Sequence, residues 1–295
     1  MASLCNVDGV ISAESEARIS ALDRGFLFGD SIYEVVRTHG GIPLNWKEHW
    51  TRLCASAEAL MMPLDLDEST IARRIHDTMT AAERHDNYVR IVVSRGAGDA
   101  PNIDLAYANS PPCWVIFVRP LELATGHPVR LGLVQRLRND RRALDPATKS
   151  GNYLNNVMGL AEAKAQGATD CLMLNAHGEV TEASTSNLFV RIDGIWCTPP
   201  LNAGILAGIT RGTLLEFLPL AGEQVQERSL TRADLETAEE MFICSTLKDI
   251  APVTHINGQQ LGPSPSTTRL LPQFLEFLRA RSAEQDEPRW RELLS

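Results

Sequence analysis

Short apolar runs alternate with stretches of helical spacing along the first half of the chain. Residues 31–37 read as a strand or the strand-proximal end of a helix, closed by a turn at Gly40-Gly41. Across 48–61 the residues Trp50, Leu53, Cys54, Ala57 and Leu60 fall near one helical face. A second helix is predicted over 67–83, with Asp67 or Ser69 able to cap its start. Residues 88–96 and 113–119 are predicted strands. Between them, 96–112 is rich in Gly, Asp, Asn and Pro and is expected to form a loop near an active site or a dimer interface. The pattern predicts an α+β domain over 1–120.

Residues 121–128 have the composition of a linker, and a larger domain is expected over 129–282. Its strands are predicted at 129–136, 171–174, 188–192, 196–198 and 241–245, and its helices at 153–166, 210–218, 235–239 and 266–281. Gly167 stops the first of these helices. Asn257-Gly258 between 253–256 and 259–261 is a hairpin signal. The mostly charged residues 283–295 are expected to fray.

The 295 residues suffice for two domains with ample apolar content, and the net charge of -9 argues against a generic nucleic-acid binder. No apolar run approaches the roughly 18 to 20 residues that cross a bilayer. The opening Met-Ala-Ser-Leu-Cys-Asn-Val-Asp lacks the basic and apolar stretches of an export signal. Six scattered cysteines without a Cys-x-x-Cys pair suggest buried thiols in a reducing cytoplasm. Seven dispersed histidines offer no ligand spacing, so no metal is expected.

The candidate chemistry centres on Thr148-Lys149-Ser150-Gly151-Asn152-Tyr153-Leu154. Lys149 is one of four lysines in a chain that otherwise uses arginine. A long amine presented from a turn can reach a carbonyl, and once desolvated it can act as a nucleophile. On its own it reads first as a solvated surface lysine, the ordinary state of that residue. Downstream stands Gly178-Glu179-Val180-Thr181-Glu182-Ala183-Ser184-Thr185-Ser186-Asn187-Leu188-Phe189. Together the two stretches resemble the signature of fold-type IV pyridoxal-phosphate enzymes: branched-chain and D-amino-acid aminotransferases and aminodeoxychorismate lyases. The resemblance runs in the family's order from about residue 20 to about residue 260.

That resemblance implies a two-domain, D-amino-acid-aminotransferase-like fold with pyridoxal 5'-phosphate held between the domains. Lys149 would carry the cofactor through a Schiff base and then move the proton of the substrate carbon. Lys248 is the nearest rival, but its surroundings match a phosphate- and carboxylate-binding turn. Glu182 would pair with the pyridine nitrogen, with Glu179 as the neighbouring alternative, and Tyr153 would hydrogen-bond the phenolic oxygen. Arg52, within Glu48-His49-Trp50-Thr51-Arg52-Leu53, would bind the phosphate. So would Leu206-Ala207-Gly208-Ile209-Thr210, a glycine turn opening a helix, and Ser245-Thr246.

For the substrate, Asp23-Arg24-Gly25-Phe26-Leu27-Phe28-Gly29-Asp30-Ser31-Ile32-Tyr33-Glu34 resembles the family's N-terminal motif. Phe28, Tyr33, Tyr88, Arg90 and Leu247 fall at family substrate positions, though the three aromatics could as well be core packing. The chain lacks the Arg-x-His pair of D-amino-acid enzymes and the proline that usually follows Tyr-x-Arg-x in branched-chain ones. Lys248-Asp249 replaces the usual small residue and glutamate. The resemblance thus implies an aminotransferase moving an amino group between a branched-chain or other apolar L-amino acid and a 2-oxo acid such as 2-oxoglutarate. D-amino-acid transamination and aminodeoxychorismate lysis are the alternatives, and a cofactor-binding relative without turnover is disfavoured by the intact residue set. The family's habit implies a homodimer or higher homo-oligomer.

Overall fold

The computed structural model describes residues 3–295, which pack into two units. The first unit holds the chain up to Glu122 together with Thr148–Asn152 and Ala280–Ser295, and the second holds Leu123–Ala147 and Tyr153–Arg279. Both mix helices with sheet, so the fold class is α+β. This division differs from the sequence expectation in one respect that matters. Lys149, expected in the C-terminal domain, belongs with its four neighbours to the first unit, because the backbone of that segment bonds to an N-terminal strand.

The first unit is built on β1 (Leu4–Val7), β2 (Val10–Ala13), α1 (Arg24–Phe28), β3 (Ser31–His39), β4 (Ile42–Pro43), α2 (Trp46–Ala59), α3 (Glu68–Ala81), β5 (Asn87–Ser94) and β6 (Cys113–Pro120). Among the described residues the strands form an antiparallel sheet in the order β2-β1-β6-β5-β3-β4. Side chains alternate across a strand, and one face is apolar. Ile32, Val36, Val89, Ile91, Val93, Ile116 and Val118 pack there against Leu53 and Ala57 of α2 and Ile71, Ile75 and Met79 of α3. The same alternation turns Tyr33, Tyr88 and Arg90 to the opposite face.

The second unit contains β7 (Val129–Leu133), α4 (Leu154–Ala165), β8 (Asp170–Leu174), β9 (Val180–Ala183), β10 (Asn187–Ile192), β11 (Ile195–Thr198), α5 (Ile209–Leu220), β12 (Val225–Glu227), α6 (Arg232–Glu236), β13 (Glu240–Ser245), β14 (Asp249–Ile256) and β15 (Gln259–Gln260). Its mixed sheet runs β12-β11-β10-β13-β14-β7-β8-β9, with β15 on β14. The helix α7 (Pro265–Arg281) packs Leu270, Phe274 and Leu278 with Leu214 and Phe217 of α5 and with Phe189 and Phe242 of the sheet. A separate cluster of Leu131, Leu172, Leu188, Val190, Ile243 and Val253 fills another part of this unit.

Three expectations need correction. The strand expected over 129–136 stops at Leu133, and the helix expected over 235–239 lies at Arg232–Glu236, where a Thr231–Asp234 capping box sets its start. The tail expected to fray instead ends in α8 (Glu287–Leu294), whose Trp290 is buried edge-on against Trp46 with ring centroids 5.3 Å apart. Just before it, Asp286 accepts from the backbone N–H groups of Asn45 and Trp46 at 2.9 and 3.3 Å, capping α2 from the far end of the chain. Mostly charged composition concealed one amphipathic turn.

Candidate functional site

The candidate residues fall into two clusters, one in each unit. In the first, Thr148–Asn152 lies along the start of β3. Lys149 O accepts from Tyr33 N at 3.0 Å, and Gly151 N donates to Ser31 O at 2.7 Å. A Cβ on Gly151 would stand 2.2 Å from Ser31 Oγ, so a side chain at this position would have to displace that hydroxyl. Lys149 N donates to Ser56 Oγ of α2 at 3.1 Å, which fixes the root of the side chain. Its Nζ reaches Tyr33 Oη at 3.3 Å and lies 4.4 Å from the centre of that ring.

Arg90, beside Tyr33 on the same sheet face, stacks its guanidinium 4.2 Å from the same ring. Arg90 is half-buried and has no carboxylate partner among the described residues. Tyr88 lies two positions earlier on that face, opposite Arg37 and Arg119. Phe28 ends α1, under the guanidinium of Arg24 at 5.2 Å.

Behind this face, on the core side of β3, sits a buried ionic group. Glu34 receives Arg52 Nε at 2.7 Å and Nη2 at 2.8 Å, and its second oxygen lies 2.7 Å from His49 Nδ1. Burial works to raise the Glu34 pKa, but the charge and hydrogen bond of Arg52, joined by those of His49, outweigh it and hold the carboxyl at about 2. Burial pushes the His49 pKa down, Glu34 opposes that, and the cations Arg52 and Lys149 add to the lowering. An ionised carboxylate only accepts, so His49 must present Nδ1–H to it. Arg52 therefore enters the site already oriented, with two of the five guanidinium N–H donors turned to Glu34.

In the second unit Glu182 stands on β9, side chain buried. Its Oε1 receives Arg138 Nε and Nη2 at 3.0 and 2.8 Å, and its Oε2 receives Leu206 N at 3.0 Å and Asn187 Nδ2 at 3.3 Å. Glu179 instead accepts from Asn175 Nδ2 at 2.7 Å and Ser229 Oγ at 2.8 Å at a hairpin. Tyr153 occupies the N-cap position of α4, half-buried.

Gly208 caps α5 with no side-chain bond, so the N–H groups of Ile209 and Thr210 open a 12-residue helix without a capping acceptor. A Cβ on Gly208 would meet Asn187 Oδ1 at 1.9 Å, so the glycine is required by the same asparagine that holds Glu182. Ser245, Thr246 and Leu247 form the half-buried turn between β13 and β14, closed by Lys248 N donating to Ser245 O at 3.1 Å. The Lys248 amine, the rival lysine, donates to Ser186 at 3.1 Å and Thr185 at 3.3 Å and lies 4.0 Å from Asp170.

Sequence reasoning missed Glu34, His49 and Arg138 as members of these clusters. An acid at an inward position of an apolar strand was the available signal for Glu34, since buried charges are paired. Arg138 lies in the arginine-rich run 136–142, where no local pattern separates it from its exposed neighbours.

The profile of the family described as amino-transferase class IV matches residues 31–256. The chain is 31% identical over 263 residues to a D-alanine aminotransferase of Bacillus licheniformis, covering 88% of this chain and 92% of the relative. It is 33% identical over 253 residues, 86% of this chain and 88% of the relative, to a Methanocaldococcus jannaschii protein with a provisional assignment as a branched-chain-amino-acid aminotransferase. Among solved structures, the T.th. branched-chain amino acid aminotransferase complexed with N-(5'-phosphopyridoxyl)-L-glutamate superimposes with a TM-score of 0.86 at 27% identity, covering 95% of each chain. The chain belongs to the class IV aminotransferase family. It is a transaminase with the fold of the type IV pyridoxal-phosphate enzymes, and its cofactor is pyridoxal 5'-phosphate. Each unit carries groups of a kind that fits that cofactor: the first a primary amine beside a phenol, the second a buried acid anchored by arginine and an uncapped helix start suited to an anion. Its substrates are accordingly an amino acid and an oxo acid. Among the described residues no helix is long and apolar enough to cross a membrane.

Proposed function

We propose that this enzyme transfers the amino group of a branched-chain or other apolar L-amino acid to a 2-oxo acid such as 2-oxoglutarate. The observation that carries this reading is Arg90, a half-buried guanidinium stacked on Tyr33 without a carboxylate of its own, on a sheet face that the Lys149 amine also reaches. An unpaired cation there suits a substrate carboxylate. Across the strands Arg90 is flanked by Val35 and Phe117, which favours an apolar side chain. The loop 96–112 offers no Arg-x-His pair, which favours the L-series.

Pyridoxal phosphate, when bound, supplies a carbonyl that accepts the amino group and a ring that accepts the electrons released at the substrate carbon. Lys149 would hold it covalently and, once displaced by the incoming amine, take the proton from one carbon and return it to another. Tyr33 Oη, at 3.3 Å from Nζ, would orient that amine. Glu182 would hold the proton on the pyridine nitrogen, and Tyr153 would donate to the phenolic oxygen. The phosphate would be taken by Arg52, by the N–H groups of Ile209 and Thr210 at the helix start that the Leu206–Gly208 turn presents, and by the hydroxyls of Ser245 and Thr246. Leu247, Phe28 and Tyr88 would complete the substrate side.

We read the working form as a homodimer in the cytoplasm. Exposed Ile19, Leu22, Phe26, Ile103, Leu105 and Tyr107 support the former, and six unpaired cysteines the latter. The test follows the absorption of the bound cofactor while single amino acids are added without an oxo acid. Loss of the starting band with L-leucine or L-valine is the expected result. Response only to D-alanine or D-glutamate would replace this reading with D-specific transamination, and no response to any amino acid would turn it toward the lyase.

A further inference from the structure

We infer that Arg138 is a positioning residue of this transaminase, one that keeps Glu182 ionised and aimed so that the cofactor's pyridine nitrogen stays protonated. The inference rests on the reading of Glu182 as the partner of that nitrogen.

Arg138 lies in a run of arginines whose other members face solvent: the side chains of Arg142 and Arg141 are 88% and 49% exposed, that of Arg138 only 9%. Burying a guanidinium is tolerated only with a partner, and Arg138 has one that is itself buried, at 6% side-chain exposure. Its placement is held from three directions. The backbone N–H donates to Leu174 O at 2.8 Å, Nη1 turns to Asn155 and Asn156 Oδ1 at 3.3 and 3.4 Å in the first turn of α4, and Nε and Nη2 converge on Glu182 Oε1. Asn156 is fixed in turn by donating to Ser184 O at 2.7 Å.

The division of labour between the two carboxylate oxygens is uneven. Oε1 receives both nitrogens of the Arg138 fork, while Oε2 accepts from the neutral N–H groups of Leu206 at 3.0 Å and of Asn187 at a long 3.3 Å. A guanidinium beside the carboxylate favours its ionised form. A proton shared between Glu182 and a pyridine nitrogen is thereby driven to the nitrogen, where it lets the ring withdraw electrons. Without Arg138, the buried carboxyl would gain by taking that proton itself. The long Asn187 contact is the one most readily yielded to a new donor.

The test is a binding measurement on the full-length apoenzyme. Pyridoxal phosphate and its 1-deaza analogue, in which a C–H replaces the ring nitrogen, are titrated by absorbance into wild type, Glu182→Ala, Arg138→Gln and Arg138→Lys. A charge-assisted buried hydrogen bond predicts that wild type prefers pyridoxal phosphate about 10- to 100-fold. Glu182→Ala and Arg138→Gln should both reduce that preference to within about threefold. Arg138→Lys, which keeps the charge and loses the fork, should fall between them and wild type. A merely structural arginine would weaken both ligands equally and leave their ratio intact. If Arg138→Gln keeps the full preference while Glu182→Ala loses it, the inference is overturned and the role of Glu182 stands. If Glu182→Ala keeps it, the reading of Glu182 itself falls. Should Arg138→Gln not fold, Arg138→Lys decides: a ratio equal to that of wild type overturns the inference.

Discussion

Among the candidate residues, each unit of this enzyme buries a glutamate against an arginine, and the two pairs are built differently. Glu34 meets Arg52 oxygen to nitrogen on both prongs and has His49 on one of them, on the core side of a strand between sheet and helix. Glu182 takes both prongs of Arg138 on a single oxygen, and its other oxygen accepts from the neutral N–H groups of Leu206 and Asn187. The first arrangement uses the carboxylate to aim the arginine, which is the residue proposed to meet a phosphate. The second uses the arginine to aim the carboxylate, which is the residue proposed to meet a ring nitrogen. A buried ion pair adds little net stability over an apolar substitute, yet breaking one is costly. Both pairs are therefore better understood as devices for orientation than as sources of stability.

The largest effect separates function from stability altogether. Lys149→Ala should lower turnover about 100- to 10,000-fold or more, measured with saturating cofactor, and barely move the urea midpoint, because its side chain is only half-buried. Wild-type turnover in that variant would remove Lys149 from the chemistry. Glu34→Ala should do the reverse in kind: it strands Arg52 and His49 and is expected to destabilise the fold by about 3–5 kcal/mol, read from urea unfolding. A loss under about 1 kcal/mol would mean that water reaches the pair and that it holds nothing in place.

Acid sharpens the same contrast. The folded Glu34 carboxyl is held below its ordinary 4.5, at about 2. Its contribution is thus complete above pH 4.5 and lost as pH falls toward 2, amounting to about 3 kcal/mol by linkage. Glu34→Gln should flatten the stability profile across that window. Asp286 has the opposite sign, since burial raises it from 3.8 to about 6. Its contribution is present below 3.8 and is lost as pH rises through about 6, so Asp286→Asn should remove a decline in stability over that interval. This is the smallest effect, roughly 1–2 kcal/mol, because opening of the tail relieves the desolvation that causes the shift. It bears on the Glu34 pair alone, for Asp286 caps the helix that carries Arg52 and His49.

The two pairs also show how far the sequence could be read. In each, one member was given a role and its partner was not: Arg52 and Glu182 hold positions the motifs assign, while Glu34 stands in the N-terminal motif with nothing local to show its burial against Arg52, and Arg138 lies outside every motif. The expectation of fraying in 283–295 failed for the same reason, since Trp290 finds Trp46 only once the fold is formed. The strands at 88–96 and 113–119 and the helices at 48–61 and 67–83 were legible because period-two and period-3.6 patterns are local properties of the backbone.

By itself the sequence determined the α+β class, the family, the cofactor and the order of the motifs that serve it. All of these rest on residue type and short-range spacing. Tertiary structure decided which unit holds Lys149, through the backbone bonds of Thr148–Asn152 to β3, and which one of several similar arginines is buried beside Glu182. Those outcomes depend on desolvation and on hydrogen bonds between residues distant in the chain, and neither quantity is written in any local stretch of it.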